Sequence, residues 1–135
     1  MAVDPTTRTA SCSCGALRVT VSGAPLRISV CHCLACQRRT GSVFGMQARF
    51  PRQLARIEGP SRRYRRRGDS GQSIDFHFCA DCGATVYYLL DAVPEAIAIP
   101  VGAFADPAFP PPRVSVYESC RHPWVELPAT TERCD

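Results

Sequence analysis

Apolar and polar residues alternate over short stretches along most of this chain, the period of a strand with one covered face. ALRVTV, from Ala16 to Val21, sets Leu17, Val19 and Val21 on one side. The same period predicts strands at Arg27–Cys31, Val43–Phe50, Ile74–Phe78, Thr85–Leu90, Ala96–Val101 and Val114–Glu118. In Ile74–Phe78, His77 alternates with Phe76 and Phe78 and is read as facing outward. Glycine and proline punctuate the gaps, in SGAP, EGP and ADPAFPPP, and GDSGQS reads as a hairpin turn. Helical spacing is confined to two short pieces, Leu34–Arg39 and Pro51–Ala55. No repeat or long linker divides the chain. The prediction is a mainly β fold of mostly antiparallel sheets in one domain, residues 1–135.

Composition narrows the class. A chain of 135 residues can bury a core, and a hydrophobic share of 45% argues for a globule and against disorder. The longest apolar run, AVPEAIAIPVGAF, is broken by Pro and Glu, so no membrane span is predicted. The opening MAVDPTTRTA carries no apolar run of the export-signal kind, which leads to the expectation of a cytoplasmic protein.

All sixteen basic residues are arginine, and the chain contains neither lysine nor asparagine. Lysine and asparagine both use A-rich codons, which points to a bacterial gene of high GC content. The formal charge of +4 overstates the basic character if seven cysteines ligate two zinc ions as thiolates, and a nucleic-acid partner is then unlikely. One run, SRRYRRR, concentrates Arg62, Arg63, Arg65, Arg66 and Arg67. It reads either as an anion-binding patch or as a solvated strand or hairpin from which Tyr64 alone packs inward.

Cysteine changes the picture most. There are nine, and seven fall into three clusters: Cys12 and Cys14, Cys31 with Cys33 and Cys36, and Cys79 with Cys82 followed by Gly83. In a secreted domain they would suggest disulfides with one thiol left over; in a reducing compartment clustered thiols hold metal or do chemistry. Tetrahedral zinc sets its sulfurs ~3.8 Å apart, which a C-x-x-C turn and an extended C-x-C segment can both supply. Pairing the two doublets completes one closed, structural four-thiolate site between segments about 65 residues apart. The triplet then supplies three thiolates and an open position, the arrangement of a catalytic zinc. His32 lies between the first two triplet thiols, and in extended chain it points to the opposite face. Cys120, His122 and Cys134 are the other candidates to complete the site.

SCSCGALRVTV, CHCLACQRRTGSVFG, FHFCADCGATVYY, IPVGAFADP and PPPRVSVYESCRHPWVELP together closely resemble the glutathione-dependent formaldehyde-activating enzyme (GFA) family, which includes centromere protein V. The resemblance runs from about Ser11 to Pro128. It implies a β-rich fold of the Rab-exchange-factor-like zinc superfamily, with twisted antiparallel sheets tied by two zinc ions per chain. By resemblance, Cys12, Cys14, Cys79 and Cys82 hold the structural zinc, and Cys31, Cys33 and Cys36 hold a second zinc linked to glutathione binding. The implied activity is condensation of formaldehyde with glutathione to S-hydroxymethylglutathione, carbon–sulfur lyase chemistry. The chain departs from many members at Ser115, where they carry His and where ligand binding is affected; Cys120 and Cys134 lie outside the family's cysteine set.

The chemistry follows from the donor set. Zinc favours the thiolate form of a fourth, small-thiol ligand and so supplies a nucleophile at neutral pH. Arg38 and Arg39 can pair with carboxylates of a glutathione-like ligand, or simply solvate the turn. Two other classes stay open: a non-catalytic zinc-held module that contacts nucleic acid or a protein through Arg62–Arg67, and a redox switch in which the triplet releases zinc and forms a disulfide.

Overall fold

A computed structural model describes residues 6–68 and 70–135 of the chain. Among these residues eleven strands form two sheets. In chain order they are β1 (Thr7–Ser11), β2 (Arg18–Ser22), β3 (Arg27–Cys31), β4 (Gly45–Pro51), β5 (Ala55–Glu58), β6 (Arg62–Arg67), β7 (Ser73–Phe78), β8 (Thr85–Leu90), β9 (Ala96–Pro100), β10 (Val114–Val116) and β11 (Glu132–Arg133). One helix, α1 (Leu34–Thr40), follows β3. The architecture is mainly β, as the alternation predicts. The small sheet has the order β1-β2-β5, and the large one runs β11-β10-β3-β4-β9-β8-β7-β6. Pairing is antiparallel except at β10, which lies parallel to both β3 and β11.

Each predicted strand forms, with ends moved by a few residues. Pro51–Ala55 contributes a single 3-10 turn, Arg52–Leu54, before β5. Strands β1, β5 and β11 carry no clear alternation and were not predicted. The GDSGQS turn joins β6 to β7, with Gly68 donating to Gln72 at 2.7 Å. Asp69 within that turn, and the first five residues read for an export signal, lie outside the described residues. Among the described residues no helix is long and apolar enough to cross a membrane.

The core fills the space between the sheets. Leu17, just before β2, and Val19 and Val21 within it turn inward to meet Ile28, Ala48, Phe50, Val86, Ile97 and Ile99 of the large sheet. The opposite face of the large sheet carries Arg27, Ser29 and Cys31 from β3 and Gln47 and Arg49 from β4, then Tyr88, Phe76 and Ile74. α1 and the segment after β10 flank that second face. β3 is thus covered on both sides, which explains why a strand containing Arg27 and Ser29 has four of its five residues buried.

Candidate metal centres

The two cysteine doublets sit on two hairpin tips that face each other. Cys12 begins the turn between β1 and β2, where Gly15 donates to its carbonyl at 3.2 Å. Cys79 begins the turn between β7 and β8, where Gly83 donates to its carbonyl at 2.8 Å. Gly15 and Gly83 take φ of +83° and +81°, which a glycine adopts without strain and which curls the chain back under the sulfurs. Cys12 Sγ lies 3.7 Å from Cys14 Sγ, which lies 3.6 Å from Cys79 Sγ, and all four sulfurs of the set fall within 4.8 Å of one another. These are the edges of a tetrahedron sized for zinc. Backbone amides already point at the sulfurs: Leu17 N donates to Cys12 at 3.3 Å and Asp81 N to Cys79 at 3.4 Å. The Leu17 amide draws the Cys12 thiol down, and the Ala84 and Cys14 amides bring Cys82 to about 6. The residues present fit a tetrahedral thiolate metal ion.

The triplet forms where β3 runs into α1. Cys31 ends the strand, Cys33 caps the helix and Cys36 sits in its first turn, so a strand end and one helical turn converge three thiols within 4.8 Å. As N-cap, Cys33 does what Ser or Asp usually does, its sulfur accepting from Cys36 N at 3.3 Å. All three are buried, at 7, 6 and 8% exposure. Negative charge settles on Cys36: the hydrogen bond from Cys31 pulls it down to about 5, with Cys33, Arg39 and Arg66 adding to the effect. Cys31 is pushed up in turn, first by Cys36 and then by burial.

His32 points away from the three sulfurs, as its position in the C-H-C segment predicts. It is fully buried, and its Nε2 lies 2.9 Å from Ser115 Oγ. Ser115 donates to Glu118, which also accepts from Arg121 at 3.1 Å and pairs with Arg133 at 3.6 Å. Ser115 therefore belongs to a buried polar network behind the strand. The effect on ligand binding expected at this position would have to act through His32, because the Ser115 side chain leaves the opposite face to Val114 and Val116.

None of the other candidate ligands joins the triplet among the described residues. His122 Nε2 is instead 3.1 Å from Gln37 Oε1, and the Gln37 amide donates to the carbonyls of His32 and Cys120, tying α1 to the last segment. Two further expectations are corrected. Tyr64 does not pack inward: it is 59% exposed, because β6 is an edge strand and this residue shares its outer-groove face with Arg62 and Arg66. His77 does not face freely outward; it is half-buried, stacked on Tyr87 at 4.5 Å with Nδ1 2.9 Å from Ser61 Oγ.

Cys31 and Cys36 open onto a groove of about 400 Å³ across the second face of the large sheet. Arg27, Arg39 and Arg49 line it, with Tyr88, Phe76, Val116 and Tyr117. A second lobe of about 580 Å³ shares Arg39 and Phe76 and adds Arg38, Arg66, Tyr64 and Phe78. Of the two arginines singled out by sequence, Arg39 stands between the lobes, 4.9 Å above the Phe76 ring and 5.5 Å from that of Tyr88. Arg38 is exposed on the outer lobe. The basic run divides by strand parity: Arg63 and Arg65 bind Asp75 on one face, Arg65 also binding Asp91, while Arg66 on the other lies 5.0 Å from the Phe76 ring. Sequence reasoning missed Arg27 and Arg49. The signal was present, since Arg27, Ser29 and Cys31 share one strand face by period two.

The family model described as glutathione-dependent formaldehyde-activating enzyme matches residues 7–120. No curated protein matches the chain. A crystal structure of a Rhodobacter sphaeroides protein is similar at TM-score 0.55 and 22% identity, over 70% of this chain and 85% of that one, a likeness of fold.

Proposed function

Because the chain belongs to the glutathione-dependent formaldehyde-activating enzyme family, we propose that it is a zinc enzyme joining a small thiol such as glutathione to an aldehyde, or cleaving the adduct. In this reading Cys12, Cys14, Cys79 and Cys82 hold a structural zinc, and Cys31, Cys33 and Cys36 hold a second one with room for a thiol. One observation carries it: three buried thiols within 4.8 Å, with no fourth protein donor among the described residues, open onto an arginine-lined groove.

A zinc ion held by Cys31, Cys33 and Cys36 would supply a Lewis acid that favours the thiolate form of a small thiol near neutral pH. The chain's own residues do the rest. Cys33, fixed as helix cap, and Cys31, fixed by the β3 ladder, preset two corners of the site. Arg39 beside Cys36 offsets the excess negative charge and offers a guanidinium to a ligand carboxylate. Phe76 and Tyr88 give the groove an apolar wall. Attack of the thiol sulfur on the carbonyl carbon forms the C–S bond; the carbonyl electron pair moves to oxygen, which takes up the proton given up by the thiol. Cleavage is the reverse, and neither direction needs an oxidant or reductant. In this reading the chemistry is that of a carbon–sulfur lyase, the class the family resemblance implies.

Metal analysis of the purified protein is expected to give two zinc ions per chain. In the cobalt(II)-substituted protein, glutathione is expected to alter the thiolate charge-transfer bands. A spectrum indifferent to every thiol and aldehyde would overturn the reading.

A further inference from the structure

Two adjacent tyrosines on β8 face opposite sides of the large sheet. Tyr87 packs in the central core and stacks on His77 at 4.5 Å. Tyr88 stands on the groove face, 6% exposed, in a cluster with Phe76 and Ala98. Strand register explains the room beside it. One row across the sheet reads Arg27, Arg49, Ala98, Tyr88 and Phe76. Ala98 offers only a methyl, so the groove floor dips between the arginines and the tyrosine. Among the described residues the Tyr88 hydroxyl makes no hydrogen bond. A buried hydroxyl without a partner is costly to the fold, so its retention on a groove wall points to a partner that arrives with a ligand.

Other polar groups on the same wall are less suited to giving a proton. Ser29 Oγ already accepts from Gln47 at 2.7 Å, and Asp135 accepts from Ser119 N at 2.8 Å. Arginine keeps its protons at any working pH. Tyr88 is a neutral donor: burial pushes its phenol above the ordinary range in spite of Arg39 and Arg49 nearby. Cys31 and Cys36 line the same groove, so a thiol brought to the triplet and its aldehyde share one space with this hydroxyl.

We propose that Tyr88 is a catalytic residue, which donates its hydroxyl proton to the aldehyde oxygen as the thiol sulfur adds to the carbonyl carbon. The C–S bond forms, the carbonyl π pair moves to oxygen, and that oxygen takes the phenol proton. The phenolate left behind recovers the proton given up by the thiol, so the step balances without an oxidant or reductant. This rests on the reading that the groove takes a small thiol and an aldehyde, and adds the group that meets the oxygen.

Tyr88→Phe removes one unpartnered oxygen and keeps the ring contacts with Phe76 and Arg39, so zinc content and Tm are expected to hold. The zinc-loaded protein is assayed with glutathione and formaldehyde, and hemithioacetal formation is followed by NMR magnetisation transfer. In Tyr88→Phe kcat is expected to fall about a hundredfold, while KM for glutathione moves by less than about twofold. Tyr87→Phe, which loses its hydroxyl on the core side, is expected to turn over like the unaltered chain. An unchanged kcat in Tyr88→Phe, an equal fall in Tyr87→Phe, or no acceleration by the unaltered chain would overturn the proposal. The cobalt spectrum separates the two levels. A spectrum that responds to glutathione in both chains, with equal rates, removes the role of Tyr88 alone. One indifferent to glutathione in the unaltered chain removes the thiol reading and this inference with it.

Discussion

At the residue scale the two thiol sets are unequal in what they hold together. Cys12 and Cys14 belong to the small sheet's hairpin and Cys79 and Cys82 to the large sheet's, so losing one sulfur unties two layers. Cys31, Cys33 and Cys36 lie within residues 31–36, at one strand end and helix start, so a metal there would close only a short loop. Structural zinc in small domains contributes on the order of 10 kcal/mol to folding, comparable to the whole stability of a domain. Cys79→Ser is accordingly expected to abolish cooperative thermal unfolding by circular dichroism. Cys36→Ser is expected to keep the melt, lose one of two zinc ions and lose the cobalt response to glutathione. The seven clustered cysteines were legible from spacing alone, because C-x-C and C-x-x-C encode sulfur geometry locally. His32 was legible too, since strand parity alone turns it from the metal. Its partners Ser115 and Glu118 were not, because the hydrogen bond to Ser115 joins positions 83 apart and leaves no local pattern.

At the element scale, β3 and β4 show a fold carrying a local cost at its site. Arg27 and Arg49 occupy registered positions opposite each other on a half-covered face, where a strand normally places opposite charges or apolar pairs. Burial, and then the Arg27 charge, hold the Arg49 guanidinium below its ordinary range. Removing one charge is expected to stabilise the ligand-free protein by roughly 0.5 kcal/mol, raising Tm by one or two degrees for Arg49→Gln. The same substitution removes a cation from the groove wall, so a variant that melts higher while binding glutathione more weakly cannot be explained by damage to the fold. Strands with alternating faces, such as β2 and β8, were predicted nearly to their ends. β1, β5 and β11 were not, because their side chains are set by pairing with distant strands and not by a covered face of their own. Tyr64 was misplaced for a related reason: edge position is a property of the sheet order, which the period of a single strand does not contain.

At the scale of the whole molecule, the topology sets the two thiol clusters in different parts of the fold. The first spans the two sheets and sits against the core through Cys12 and Cys79, both members of the central apolar cluster. The second hangs on the large sheet alone, in its own small cluster with Ala35, Val116 and Tyr117, and faces the groove. Parallel pairing of β10 with β3 backs this second site, and that pairing was invisible in sequence because it joins segments 85 residues apart across a proline-rich crossover. A chelator that competes for zinc meets one site with three protein sulfurs beside a solvent-reaching groove and another with four sulfurs closed between layers. Release is expected in two steps. The first equivalent should leave at low chelator with the far-ultraviolet spectrum and Tm nearly unchanged, together with loss of the thiol response. The second should leave only with cooperative loss of β structure, since the hairpin tips then part and the core between the sheets opens. Zinc followed by a metallochromic dye, in parallel with circular dichroism, reads both steps. Simultaneous loss of both ions and the fold would mean that the triplet is part of the folding unit, and the assignment of one structural and one exchange-competent site would fall with it.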